Sequence, residues 1–190
     1  AVLLSACLAR GVFGGIPHIP DGVAYLFQAK AFANGELYAH APREFSAFAI
    51  YLIELRDGNW SAVTNPGWPA LQSIGARYGL PWLVNPVLAG LSVVLAHLLA
   101  RRFLSRSGAL LAVFLVAASP WFLWLAASDM THTASLFLLL VCWWGAVRVA
   151  DRRLLPDKSD RAGVGRDGRM LGDRGRKRRT DGGGIGMLEF

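Results

Sequence analysis

"ALLAVFLVAASPWFLWLAASDMTHTASLFLLLVCWWGAVRVA", residues 109 to 150, contains two long apolar runs parted by the short polar stretch "SDMTHT". The runs 109 to 127 and 134 to 150 have the length needed to cross a bilayer, about 17–25 mostly apolar residues. A third, "WLVNPVLAGLSVVLAHLLA", covers 82 to 100. The first 16 residues, "AVLLSACLARGVFGGI", read as the outer part of a fourth span. A secretory signal is the rival for that piece, but a basic N-terminal cluster and a small-residue cleavage site are missing. The expectation is an all-α integral membrane bundle, present as a fragment of a longer protein.

Composition agrees with a membrane class. Apolar residues make up 54% of the 190 positions and charged ones 17%, and the charges are unevenly spread. Residues 1 to 150 hold nine Lys/Arg and six Asp/Glu, whereas 151 to 190 hold eleven and seven, with nine of the 21 glycines. Two regions follow: a membrane domain, 1 to 150, and a Gly/Arg-rich basic tail, 151 to 190, too polar to build a core and expected to be disordered. The tail's "RGRKRR" (174 to 179) lacks aromatic interleaving and any nucleic-acid motif, so no nucleic acid is expected as partner. Attraction to anionic lipid and a shifted reading frame are the two remaining explanations, and the tail is given no role. Cys7 and Cys142 lie inside apolar runs and form no ligand spacing.

Short basic loops stay in the cytoplasm. "RRFLSRSG" (101 to 108) and the residues after 147 carry arginines, whereas "SDMTHT" has neither Lys nor Arg. This alternation puts residues 17 to 81 and the 128 to 133 turn on the outer face of a plasma (inner) membrane, with the tail in the cytoplasm. Pro86 and Pro120 would kink their helices. Asn85, Ser92, His97 and Ser119 are expected as helix-to-helix contacts. Trp82, Trp121, Phe122 and Trp124 suit the interfacial belt.

The long loop 17 to 81 can be read internally. Val23, Leu26, Phe27 and Ala31 recur at helical spacing with Gln28 and Asn34 off that row, predicting an amphipathic juxtamembrane helix over 22 to 34. Asp21 stands where an N-cap belongs, and Asn34-Gly35 is a stop. "FSAFAIYLIEL" fits strand or helix, and "RDGN" (56 to 59) is a turn. "NPGWPALQSIGARYG" (65 to 79) opens a second short helix, with Trp68 as a membrane anchor.

Asp21 has two readings. As a cap it satisfies free N–H groups; as a carboxylate at the bilayer edge beside a polar cavity it does acid/base or electrostatic work. Tyr25, one turn on, shares its face. Asp129 and His132, in the short outer turn, either close the same site or sit in a solvated loop that caps the next helix. Lys30 either reaches a phosphate or snorkels to headgroups.

Taken together, "PHIPDGVAYLFQAKAFANGELY", "NPGWPALQSIGARYGLPWLVNP" and "SPWFLWLAASDMTHTASLFLLL" resemble the N-terminal region of GT-C superfamily membrane glycosyltransferases, of the bacterial protein-mannosyltransferase and aminoarabinose-transferase type. The likeness covers about residues 1 to 150. It implies a GT-C-like helical bundle that moves a sugar from a polyprenyl-phosphate donor to a glycan, lipid or protein acceptor at the outer face, with inversion. By position the resemblance makes Asp21 the catalytic carboxylate, acting as base; the family pattern has a second acidic residue directly after it, where this chain has Gly22. No cofactor beyond the lipid-linked donor is implied and no metal site is expected; a divalent cation would fit only beside Asp21 and the donor phosphate. A transporter or channel fragment and a non-catalytic membrane scaffold are the alternatives, since apolar spans alone do not discriminate. HExxH, CxxC, GxSxG and phosphate-cradling Gly loops are absent from the sequence.

Overall fold

A computed structural model describes residues 1 to 48 and 50 to 154. It is mostly helical: α1 (Val2–Gly11), α2 (Pro20–Ala33), α3 (Gly67–Arg77), α4 (Val84–Ala100), α5 (Arg106–Ala117), α6 (Pro120–Ala127) and α7 (His132–Leu154). Three short strands, β1 (Ala39–His40), β2 (Ile53–Arg56) and β3 (Asn59–Ala62), form an antiparallel sheet in the order β1-β3-β2. The wholly helical expectation is corrected to this extent. The chain divides into two compact units, Ala1–Gly145 and Ala146–Phe190; the described part of the second is the end of α7. The expected disordered tail lies outside the described residues, apart from the last turn of α7.

Two helical segments are long and apolar enough to cross a membrane, Pro81–Ala100 and His132–Arg152. The expected span 109 to 127 is broken instead. α5 and α6 meet at 57°, with Ser119-Pro120 at the break. Proline has no N–H to continue the α5 ladder and its ring disfavours a helical residue before it, so Ser119 is extended and a new helix starts at Pro120. α1, at 10 residues, is shorter than a span and ends in a turn through Gly14 and Gly15, both at positive φ.

Packing follows residue size. The buried apolar positions of the helices are mostly alanines, among them Ala9, Ala24, Ala29, Ala89, Ala109, Ala126 and Ala134, joined by Ser5 and Ser92. Large side chains such as Leu111, Phe114, Leu115, Trp121 and Leu139 point outward and are at least 60% exposed. Small residues inward and bulky apolar ones outward is the pattern of helices that face lipid or further helices. Ser92 bonds within its own helix, to Leu88 O at 2.8 Å, rather than across to a neighbour. Gly75 allows the tight corner from α3 to α4: a Cβ there would lie 2.8 Å from Leu80 O and 3.1 Å from Pro81 Cα.

α2 departs from the expected amphipathic helix. It starts two residues early, at Pro20, with Ile19 as its N-cap, so Asp21 is inside the first turn and makes no capping bond. Proline explains the shift: at the first helical position its missing N–H costs nothing and its fixed φ suits the helix. The buried side of α2 is Gly22, Ala24, Gln28, Ala29 and Ala31, against α3 and β3, while the larger Val23, Leu26 and Phe27 stay half exposed. Gln28, expected on the polar side, is 5% exposed. Its Nε2 donates to Leu37 O at 2.6 Å and its Oε1 accepts from Ala62 N at 3.0 Å. One amide thus joins the helix, the loop after it and the sheet, and Phe27 meets Trp60 edge-on with ring centroids 4.8 Å apart.

The ambiguous segment becomes a 3-10 turn at Phe45–Phe48 followed by β2. "RDGN" is the two-residue hairpin turn between β2 and β3, with Asp57 at φ 54° and Gly58 at φ 78°, as Asp-Gly turns require. Asn59-Trp60-Ser61 lies within β3.

Gln28→Leu removes both of these bonds and leaves a carbonyl and an amide without partners, which costs about 1–3 kcal/mol per buried group. We expect the Ala62 amide of the variant to exchange with solvent at least tenfold faster, with α4 unchanged, as read by hydrogen–deuterium exchange.

Candidate functional site at the turn between α6 and α7

The turn Ser128–Thr131 is held by side chains from two other helices. Asn85, in the first turn of α4, donates through Nδ2 to Ser128 O and to Met130 O, the latter at 2.8 Å. Trp68 of α3 donates its indole N–H to Asp129 O at 3.2 Å. Gln72, one turn further along α3, donates to Asp129 Oδ1 at 3.0 Å. Thr133 and Ser128 both bond back to Leu125 O, at 3.2 and 3.0 Å. Gln72 is fully buried and Asn85 is 2% exposed. Of the two sequence readings of this turn, a freely solvated loop does not fit: the turn is clamped by these bonds and partly buried.

Asp129 responds to that burial. Loss of solvent pushes its carboxyl from 3.8 up to about 6, while the Gln72 hydrogen bond and the nearby His18 pull it part of the way back. Gln72 Oε1 and Asn85 Oδ1 are buried acceptors with no donor.

Gly22 brings the first turn of α2 against this acid. A Cβ at position 22 would lie 3.6 Å from Asp129 Cβ and 2.9 Å from Pro17 Cβ. The position that follows Asp21 is thus occupied in space by the Asp129 turn, and a larger side chain would displace one or the other. Asp21, the neighbour of Gly22, is half buried.

Two cavities flank the turn. The smaller, about 50 Å³, is lined by Asp129, His18, Gly22, Phe13 and Trp124. It has room for little more than a water. His18 Nε2 is 2.9 Å from Phe13 O and its ring leans on Phe13, which in turn meets Trp124 edge-on at 4.9 Å. The larger, about 500 Å³, is half polar and is lined by Tyr25, Thr64, Asn65, Trp68, Thr131 and Ser135. Thr64, on the same wall, has its Oγ1 buried without a hydrogen-bond partner. Leu52, also on the wall, holds a left-handed backbone at φ 68°, a conformation that costs a non-glycine residue about 1–3 kcal/mol and is found where surroundings enforce it. Asp21 precedes Tyr25 by one turn and shares its side of α2.

Of the residues nominated from sequence, Asp129 sits in the turn, Asp21 precedes Gly22, which packs on Asp129, and Tyr25 lines the larger cavity with Thr131 of the same turn. His132 starts α7 next to that turn and is exposed. Lys30 lies elsewhere, in a separate cleft with Arg10. Trp68, expected at a membrane surface, is 6% exposed and belongs to the clamp. Gln72 was not singled out, although its spacing of four from Trp68 puts a lone amide and an indole on one stripe of α3. Among the described residues no group of three or more His, Cys, Asp or Glu is placed to hold a metal. No family model, curated protein or solved structure matches the chain.

Because Asp129 binds its proton more tightly when folded, the folded state is favoured below about pH 4 and loses that advantage as pH rises through about 6. Asparagine can still accept from Gln72 but cannot ionise. The melting temperature of Asp129→Asn relative to wild type should therefore rise between pH 4 and 6 and stay level above 7, measured by thermal unfolding in detergent.

Proposed function

We propose that this chain is part of a membrane glycosyltransferase of the GT-C type, which transfers a sugar from a polyprenyl-phosphate donor to an acceptor at the outer membrane face with inversion. The observation that carries the proposal is the acid Asp129, partly buried at the turn between two apolar helices, with the first turn of α2 packed on it through Gly22. Asp129 is held with a raised proton affinity, Gly22 abuts it, Asp21 stands next in the chain, and Tyr25, one turn on, lines a half-polar cavity of a size to admit a sugar.

In this reading Asp21 accepts the proton of the acceptor hydroxyl as its oxygen attacks the anomeric carbon. The bond to the lipid phosphate breaks with its electron pair leaving on phosphate, which is a stable anion and needs no protonation. Negative charge from Asp21 steadies the oxocarbenium character of the transition state. Tyr25 offers its hydroxyl to sugar or acceptor along the wall. Asp129 acts as a positioning residue behind that wall, setting the electrostatics of the corner according to its protonation. His132 lies at the rim.

The break between α5 and α6 favours a second reading. Discontinuous helices are a hallmark of transporters, where freed backbone groups face a substrate path. The two readings differ in what they do to a sugar donor.

With the full-length protein in liposomes and a panel of polyprenyl-phosphate sugars, Asp21→Asn should lower transfer about 10²–10⁴-fold while leaving insertion and melting temperature intact. Asp129→Asn should retain part of the activity and flatten its pH dependence near 6. Full transfer by Asp21→Asn removes the proposed role of Asp21; movement of solute without any transfer by wild type supports the transporter.

A further inference from the structure

We propose that the cleft containing Arg10 and Lys30 holds the phosphate of an anionic bilayer phospholipid, with an acyl chain in the apolar groove beside it. The inference rests on α4 lying in a bilayer and is independent of sugar transfer.

The cleft has a volume of about 470 Å³. Arg10 comes from the last turn of α1 and Lys30 from the last turn of α2, and no acidic residue lines the space. Arg10 Nη1 donates to Gly14 O at 3.1 Å, which tethers the guanidinium over the α1–α2 connection. Gly15 makes the approach close: a Cβ there would lie 3.1 Å from Arg10 Nη1 and 3.3 Å from Trp82 Cδ1. Trp82 sits at the start of the Pro81–Ala100 apolar segment, so the cations stand at one end of a candidate span, at the depth of lipid headgroups.

Leu80 is shared between this cleft and a groove of about 360 Å³ that runs between α3 and the first turns of α4. Apart from Gly75 and Tyr78 the groove is lined by aliphatic side chains, and Ile74 and Val87 on its wall are well exposed. A free anion would leave the groove unexplained, and a neutral hydrocarbon would leave the two cations facing nothing. A phosphate joined to an acyl chain uses both. Guanidinium and ammonium groups together suit a phosphodiester, the first as a fork and the second as a point charge.

Native mass spectrometry of the detergent-purified chain offered phosphatidylglycerol or phosphatidylcholine tests this. Wild type should retain phosphatidylglycerol roughly tenfold better, and the double variant Arg10→Gln/Lys30→Gln should hold both lipids equally. Val87→Glu, at an exposed position, puts a charge in the groove and should lose phosphatidylglycerol although both cations remain. Circular dichroism and monodispersity confirm that each variant is folded. Equal retention of both lipids by wild type, a preference that survives in the double variant, or full retention by Val87→Glu would each overturn the proposal. Displacement by inorganic phosphate alone, with the same affinity in wild type and Val87→Glu, would identify a free-anion site and overturn it as well.

Discussion

The amide of Asn85 reaching across to two carbonyls of the 128 to 131 turn is the interaction on which the rest of the structure depends. Buried carbonyls must find donors, and here the donors come from the first turn of α4 and from Trp68 and Gln72 of α3. The C-terminal end of α6, the start of α7, α3 and α4 are thereby drawn to one point. Asn85 belongs to an apolar helix and would be costly to bury without partners, so it holds the turn with as much need as the turn has for it. The consequence is chemical: a carboxyl that a solvated loop would leave in water is partly buried at the same point, with its proton affinity raised.

Helix packing makes room for that corner. Alanine, serine and glycine allow α1, α4 and α6 to lie close to one another and α2 to lie on α3, and the bulky side chains that would have filled a soluble core face outward. Gly22 is the sharpest instance, because the space a side chain would take is where Asp129 and Pro17 stand. Gly15 does the same for Arg10 and Trp82. Gly22 thus lines the small cavity beside Asp129, and Gly15 the cleft that holds Arg10 and Lys30.

Much of the helical order was legible in the sequence because apolar length and proline position act locally. The Pro81–Ala100 and His132–Arg152 segments fall where hydropathy puts them, and "RDGN" makes the hairpin turn its Asp-Gly demands. The corrections arise where tertiary contact overrides local pattern. Gln28 looks like a polar-face residue until β3 and the loop after α2 supply its partners. Trp68 looks like a surface anchor until a carbonyl 61 residues away is found to take its N–H. Asp21 looks like a cap until Pro20 claims the start of the helix. The nomination of Asp129 could be made from its place in a short polar turn, but its burial could not, since the amide that bonds it comes from Gln72, distant in the chain.

Infrared titration of the protein carrying carboxyl-labelled aspartate tests the central claim most directly, because it reads the protonation of Asp129 in place. A protonated-carboxyl band that disappears with a midpoint near 6, and that moves toward 3.8 when Asn85→Leu releases the turn, is the result the clamp requires. A wild-type protein whose aspartates have all ionised by about pH 4.5 would place Asp129 in water, and the buried acidic corner would not exist.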